Sequence, residues 1–208
     1  MKFAIFDMDG TLIDSSKAIL VTINQARAKL GMSPLDVDFI VKTINDPSKN
    51  STFEFFGTDK SDADSKKEFL LSFSANYIKF AKPYPGIIDM LKACKNQGFG
   101  VAVASNSPMY GLKDTLKATG IGEYLDEIIG VDENTRPKPD PQMLLRIKER
   151  ENTQKCVFVG DSIKDKMAAN NAKIPFIGVL WGYGNGFDDE ICTQNPSDTF
   201  NKIKNILE

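Results

Sequence analysis

From Gly100 onward, short apolar runs alternate with helical stretches, and this alternation constrains the fold more than any other feature of the chain. Gly100-Val101-Ala102-Val103-Ala104, Ile128–Val131, Cys156–Val159 and Pro175–Val179 read as strands. Between them Leu112–Ala118, Gln142–Arg150 and Ile163–Asn170 read as helices. Ile88–Asn96 reads as a helix closed by Gly98, and Phe3-Ala4-Ile5-Phe6 near the N-terminus reads as one more buried strand. Strands that alternate with helices predict an α/β fold, a parallel sheet with helices on both faces.

Residues 15–81 break the alternation. Ile19, Ile23, Ala26 and Leu30 mark one helical face stopped by Gly31. Ser33-Pro34 is expected to open a second helix, Leu35 to about Ile44, and Asp46-Pro47-Ser48-Lys49-Asn50 is a polar break. Lys66–Phe80 is a third helical run whose stripe of Phe69, Phe73, Tyr77 and Phe80 predicts packing in a helical bundle. Lys82-Pro83-Tyr84-Pro85-Gly86 is a turn-rich junction. The all-helical block therefore looks like an insertion between the first strand and the rest of the sheet.

The chemistry-bearing residues cluster at strand ends. Asp7-Met8-Asp9-Gly10-Thr11 follows the first strand, Ser105-Asn106 follows Gly100–Ala104, and Asp161 follows Val157–Gly160. Lys138, in Arg136-Pro137-Lys138-Pro139, lies just before a helix and soon after Ile128–Val131. Ligands of open parallel sheets bind beyond the carboxyl ends of the strands, so all four segments are expected to converge on one edge. Taken singly each has an ordinary reading: a turn for Asp-x-Asp-Gly and for Ser105-Asn106, a helix cap for Asp161-Ser162, a solvated lysine for Lys138. Their joint spacing argues for phosphoryl chemistry. Asp7 can attack phosphorus. Asp9 can protonate the leaving oxygen and then take a proton from water. Ser105 and Asn106 can donate to phosphate oxygens, and Lys138 supplies positive charge. Asp161 and Asp165 can complete a Mg2+ site with Asp7 and Asp9, because clustered carboxylates repel unless a cation holds them.

Composition narrows the alternatives. The chain of 208 residues has no histidine, which removes Ser-His and Cys-His catalysis and every histidine-ligated metal. Its net charge is −2 and it has no long basic run, so a nucleic-acid partner has no electrostatic support. There is no signal-peptide pattern and no apolar run of the roughly 20 residues needed to cross a bilayer. Cys94, Cys156 and Cys192 form no C-x-x-C motif and read as reduced thiols, which fits a cytoplasmic location.

This motif set resembles the haloacid dehalogenase-like hydrolase superfamily: Asp7-Met8-Asp9-Gly10-Thr11, Ser105-Asn106, Lys138, and Gly160-Asp161-Ser162 with Asp165. The resemblance covers essentially the whole chain. It implies a Rossmann-like core, residues 1–14 and 84–208, with a helical cap at residues 15–83. It also implies that Asp7, the Asp9 backbone carbonyl and Asp161 bind Mg2+ with Asp165 close behind, and that Gly10, Thr11, Ser105, Asn106 and Lys138 serve the substrate. Lys138 in Arg-Pro-Lys-Pro, the Tyr84-Pro85-Gly86 junction and Trp181-Gly182-Tyr183-Gly184 look most like the phosphoglycolate phosphatase branch. Where that branch often has a Gly-rich turn in the second cap-helix region, this chain has Ile44-Asn45-Asp46-Pro47. The expected activity is Mg2+-dependent hydrolysis of a small phosphorylated metabolite, phosphoglycolate being a candidate, by a monomer whose cap hinges near Asp14–Ser16 and Lys82–Pro85. A phosphotransferase or phosphomutase on the same fold and a receiver-like phospho-Asp module are the alternatives. In the loop Trp181–Asp188, Trp181 either packs or contacts ligand.

Overall fold

A computed structural model of the chain describes residues 2–153, 155–184 and 192–208. The chain opens with β1 (Phe3–Phe6), wholly buried, as an unbroken apolar run must be in the middle of a parallel sheet. After β2 (Ile13–Asp14) come the cap helices α1 (Ser16–Lys29), α2 (Val37–Asn45), α3 (Ser51–Phe56) and α4 (Ala63–Phe80). Then follow β3 (Lys82–Pro83), α5 (Ile87–Asn96), β4 (Gly100–Pro108), α6 (Leu112–Ala118) and β5 (Glu127–Val131). The chain closes with α7 (Gln142–Arg150), β6 (Cys156–Gly160), α8 (Ile163–Ala172), β7 (Phe176–Val179), β8 (Cys192–Thr193) and α9 (Pro196–Leu207).

Among the described residues the main sheet runs β5-β4-β1-β6-β7-β8, every neighbouring pair parallel. This is the doubly wound order, in which the chain works outward from β1 to β5 and returns to build the other half from β6. Successive residues of β1 serve opposite faces. Ala4 and Phe6 join a core with Val101, Val103, Leu91 and Ile203, whereas Phe3 and Ile5 join one with Met143, Leu144, Ile147 and Ala169. Burying each such Phe, Ile or Leu contributes roughly 1.5–3 kcal/mol. A β-carbon on Gly100 would lie 2.3 Å from the Phe3 ring, so a side chain there is excluded by packing.

The inserted helices depart from expectation in instructive ways. The second one starts at Val37, not Leu35, with Asp36 as its cap: the Asp36 carboxylate accepts the Phe39 N–H at 2.8 Å. Leu35 is kept out because the Asn24 side chain bonds both its N–H (2.8 Å) and its carbonyl (2.9 Å). Leu30, placed on the buried stripe by spacing, is 62% exposed because the helix stops one residue earlier. Arg27 is buried instead, its guanidinium donating to the carbonyls of Ser33 and Phe55. The short helix α3 follows the polar break, capped by Asn50.

β2 and β3 pair antiparallel, Ile13 opposite Pro83 and Asp14 opposite Lys82. Both passages of the chain between sheet and cap are thus tied side by side.

Candidate active site

The sheet order reverses between β1 and β6, and the residues that leave those strands enter the crevice this opens. Asp7 leaves β1 and Asp161 leaves β6, with the Asp7 N–H bonded to the Val159 carbonyl at 2.8 Å. β4 runs further than expected, through Ser105, Asn106 and Ser107 to Pro108. The loop after β5 brings in Lys138, which is only 4% exposed.

The Lys138 ammonium is 2.5 Å from Asp7 Oδ1 and 2.6 Å from Asp165 Oδ1. Burial disfavours its charge, but Asp165 and Asp7 outweigh that and hold its pKa above the ordinary value. The other Asp165 oxygen, Oδ2, accepts the Ser162 N–H (3.0 Å) and hydroxyl (2.5 Å), closing a capping box at the start of α8. Asp161 Oδ2 accepts the N–H groups of Tyr183 (2.7 Å) and Gly184 (3.1 Å), and its Oδ1 accepts the Thr11 hydroxyl at 3.3 Å.

Asp7, Asp161 and Asp165 offer carboxylate oxygens all within 4.8 Å of one another, and all three residues are buried. One lysine faces three carboxylates. Burial first, then Asp165, pushes the Asp7 carboxyl well above the usual range against the pull of Lys138. Burial and Asp165 likewise raise Asp161 to about 7. A buried excess of negative charge presented by oxygen donors fits a hard divalent cation of the Mg2+ type.

The Asp9 carboxylate is not part of that trio. It turns toward the cap side, where Oδ1 accepts the Ser15 hydroxyl at 2.5 Å and Oδ2 the Ser107 hydroxyl at 2.7 Å. The Tyr77 hydroxyl, from α4, is a further donor to it. Burial raises the Asp9 pKa, and the Ser15, Ser107 and Tyr77 hydrogen bonds restrain the rise. Sequence reasoning gives Ser15, Ser107 and Tyr77 no catalytic role. Tyr77 was expected in the bundle core; its ring is buried as foreseen, but its hydroxyl reaches the site.

The other residues expected to serve the substrate have these surroundings. Ser105 is wholly buried and accepts the Ser107 N–H at 3.0 Å. Asn106 lines the cleft, but its amide also clasps the Lys138 backbone, donating to the carbonyl at 3.0 Å and accepting the N–H at 2.7 Å. Thr11 faces Asp161, and Gly10 is where the loop must do without a side chain. Its φ is +81°, and a β-carbon would stand 2.3 Å from Asp161 Oδ2. Trp181 packs against the core and donates its indole N–H to the Thr11 carbonyl at 3.0 Å. Tyr183 accepts the Ser15 N–H at 2.6 Å and donates to Asp14 Oδ1 at 3.0 Å, touching the place where the chain enters the cap. Residues 185–188 of the same loop lie outside the described residues.

A cavity of about 510 Å3 lies between these groups and the cap helices. Across it, Lys164 of α8 donates to the Ile44 carbonyl of α2 at 2.5 Å. No helix among the described residues is long and apolar enough to cross a membrane.

Known proteins resemble this chain in sequence and fold. The family described as haloacid dehalogenase-like hydrolase matches residues 4–179. A phosphoglycolate phosphatase of Aquifex aeolicus is 31% identical over 211 residues, covering 100% of this chain and 99% of its own. One of Agrobacterium fabrum is 31% identical over 188 residues, 86% of this chain and 81% of its own. The crystal structure of a predicted phosphoglycolate phosphatase from Haemophilus somnus superposes with a TM-score of 0.82 at 23% identity, covering 97% of each chain, and shares the fold.

Proposed function

The chain belongs to the haloacid dehalogenase-like hydrolase family, and from that premise we propose that this phosphatase works through a phosphoryl group carried on Asp7 and needs Mg2+. The observation that carries the reading is Lys138 bridging Asp7 and Asp165 at the floor of the cleft, beside Asp161.

Asp7 is the nucleophile. Its carboxylate attacks the phosphorus of a small phosphomonoester, and the bond to the alcohol oxygen breaks. Asp9 gives the departing oxygen its proton. Water then attacks the phosphorus of phospho-Asp7, the bond between phosphorus and the Asp7 oxygen breaks to release phosphate, and Asp9 takes the proton back. A buried carboxyl with a raised pKa suits both halves of that exchange. Lys138 fixes Asp7 in place and offsets the negative charge gathered there. Mg2+, held by Asp7, Asp161 and Asp165, would neutralise phosphate charge that one lysine cannot balance.

We take the core as residues 1–14 and 84–208 and the cap as 15–83, meeting at the β2–β3 ribbon. Tyr183, bonded to Asp14 and Ser15 at that seam, is placed to link cap position to Asp9.

The reading is tested by phosphate release from a panel of monoesters with Mg2+ and with chelator, for the native protein and Asp7→Asn. Mg2+-dependent release that Asp7→Asn abolishes supports it. Equal release by Asp7→Asn, or release that chelator leaves unchanged, would overturn it.

A further inference from the structure

The walls of the cavity speak to the alcohol half of the substrate. Cavities of roughly 300–1,000 Å3 suit drug-sized ligands, so a two-carbon leaving group would leave much of this one, about 510 Å3, to water. Its cap side is formed by Ile19 and Ile23 of α1, Phe55 and Phe56 of α3, and Phe69 and Phe73 of α4. The rings are continuous. Phe56 meets Phe69 edge-on with centroids 6.4 Å apart, Phe69 meets Phe73 at 6.3 Å, and Phe73 stacks on Tyr77 at 4.1 Å. An aromatic wall thus leads from the cap to the Tyr77 hydroxyl beside Asp9.

The polar groups that the cap adds to this wall include the neutral Asn45, Asn50 and Thr52. Among the described residues no arginine lines the cavity, and the two lysines at its floor, Lys138 and Lys164, are otherwise engaged. Lys138 is paired with Asp7 and Asp165, and Lys164 donates to the Ile44 carbonyl. Lys49 is exposed and lies 5.9 Å from the centroid of the Phe39 ring. A leaving group that bears a carboxylate would enter an apolar space with little to offset its desolvation. A neutral ring would find faces and edges to pack against and side-chain amides for its polar atoms.

Resting on the phosphatase reading above, we propose that the preferred phosphomonoester carries a neutral aromatic or heteroaromatic alcohol, up to about nucleoside size, selected by Phe56, Phe69 and Phe73. The test compares esters of primary alcohols, so that intrinsic reactivity is similar. With Mg2+, kcat/KM is measured for benzyl phosphate, pyridoxal 5′-phosphate and uridine 5′-monophosphate against phosphoglycolate and glycerol 3-phosphate. At least one ring ester is expected to exceed both ring-free esters by roughly tenfold or more, mostly through KM. Phe69→Leu, and independently Phe73→Leu, should lower the ratio of that ring ester to glycerol 3-phosphate about fivefold. Preference for a ring-free ester, or a ratio that neither variant moves, would overturn the proposal and leave the phosphatase standing. No release from any ester would remove both readings together.

Discussion

Asn106 grips Lys138 by its backbone from both sides, its amide donating to the Lys138 carbonyl at 3.0 Å and accepting the Lys138 N–H at 2.7 Å. The ammonium at the other end of Lys138 is thereby held between Asp7 and Asp165. Asn106→Ala removes both bonds. It should lower stability by about 1–3 kcal/mol and kcat by roughly tenfold or more, because Lys138 loses its register against Asp7. Denaturant melts and steady-state kinetics on one preparation check both. An unchanged kcat would show that Lys138 needs no such clasp.

The Tyr77 hydroxyl should matter through Asp9. Its hydrogen bond holds the Asp9 pKa down against burial, so Tyr77→Phe lets that pKa rise. The limb of the kcat–pH profile that reports Asp9 then moves to higher pH, and kcat at neutral pH falls by up to roughly tenfold. The ring and its stacking on Phe73 remain, so the melting temperature should change little. A profile superimposable on that of the native protein would contradict the role.

Gly10→Ala should be severe although it changes one methyl group. The residue sits at φ +81°, and the new carbon would press on Asp161 at 2.3 Å. Backbone strain of about 1–3 kcal/mol is expected. A displaced Asp161 should reduce kcat by about 10²-fold, as misplacement by an ångström can. Raising Mg2+ should restore part of the rate if Asp161 helps to hold it; kinetics across a Mg2+ series measure this.

Cys94 gives a pH prediction away from the site. Burial pushes its thiol from the ordinary 9.0 up to about 12. Between those values the folded chain keeps a proton that the unfolded chain has released. The stability this provides is whole below pH 9 and is lost as pH rises toward 12. Cys94→Ala should therefore lose less stability than the native protein across that window, by denaturant midpoints at matched pH. The native thiol should also resist alkylation under native conditions at pH 8.

Much of the site was legible because its parts sit where a parallel sheet puts functional residues. Asp7, Asp161 and Lys138 could be placed on one edge from strand ends alone, and the structure brings them together with Asp165. What stayed hidden depended on contacts across long stretches of chain. Ser107 is 98 residues from Asp9, and nothing around it distinguishes it from a turn serine. Tyr77 shows its ring in the helical stripe, but periodicity says nothing about what its hydroxyl touches. The spacing of Gly10 and Thr11 gives no hint that both also shape the approach of Asp161. In the fold, β2, β3 and β8 are two residues long and carry no period. Helix α9 does carry a local signal, Asn195 as cap with Pro196 in the first turn.

The most direct test of the account is acid quenching during turnover with Mg2+ and a hydrolysable ester, followed by mass spectrometry of the peptide that carries Asp7. One added phosphoryl group is expected on Asp7 during turnover, lost once the ester is consumed and absent from Asp7→Asn. A native protein that releases phosphate without ever carrying it on Asp7, or an Asp7→Asn protein that turns over at the native rate, would contradict it.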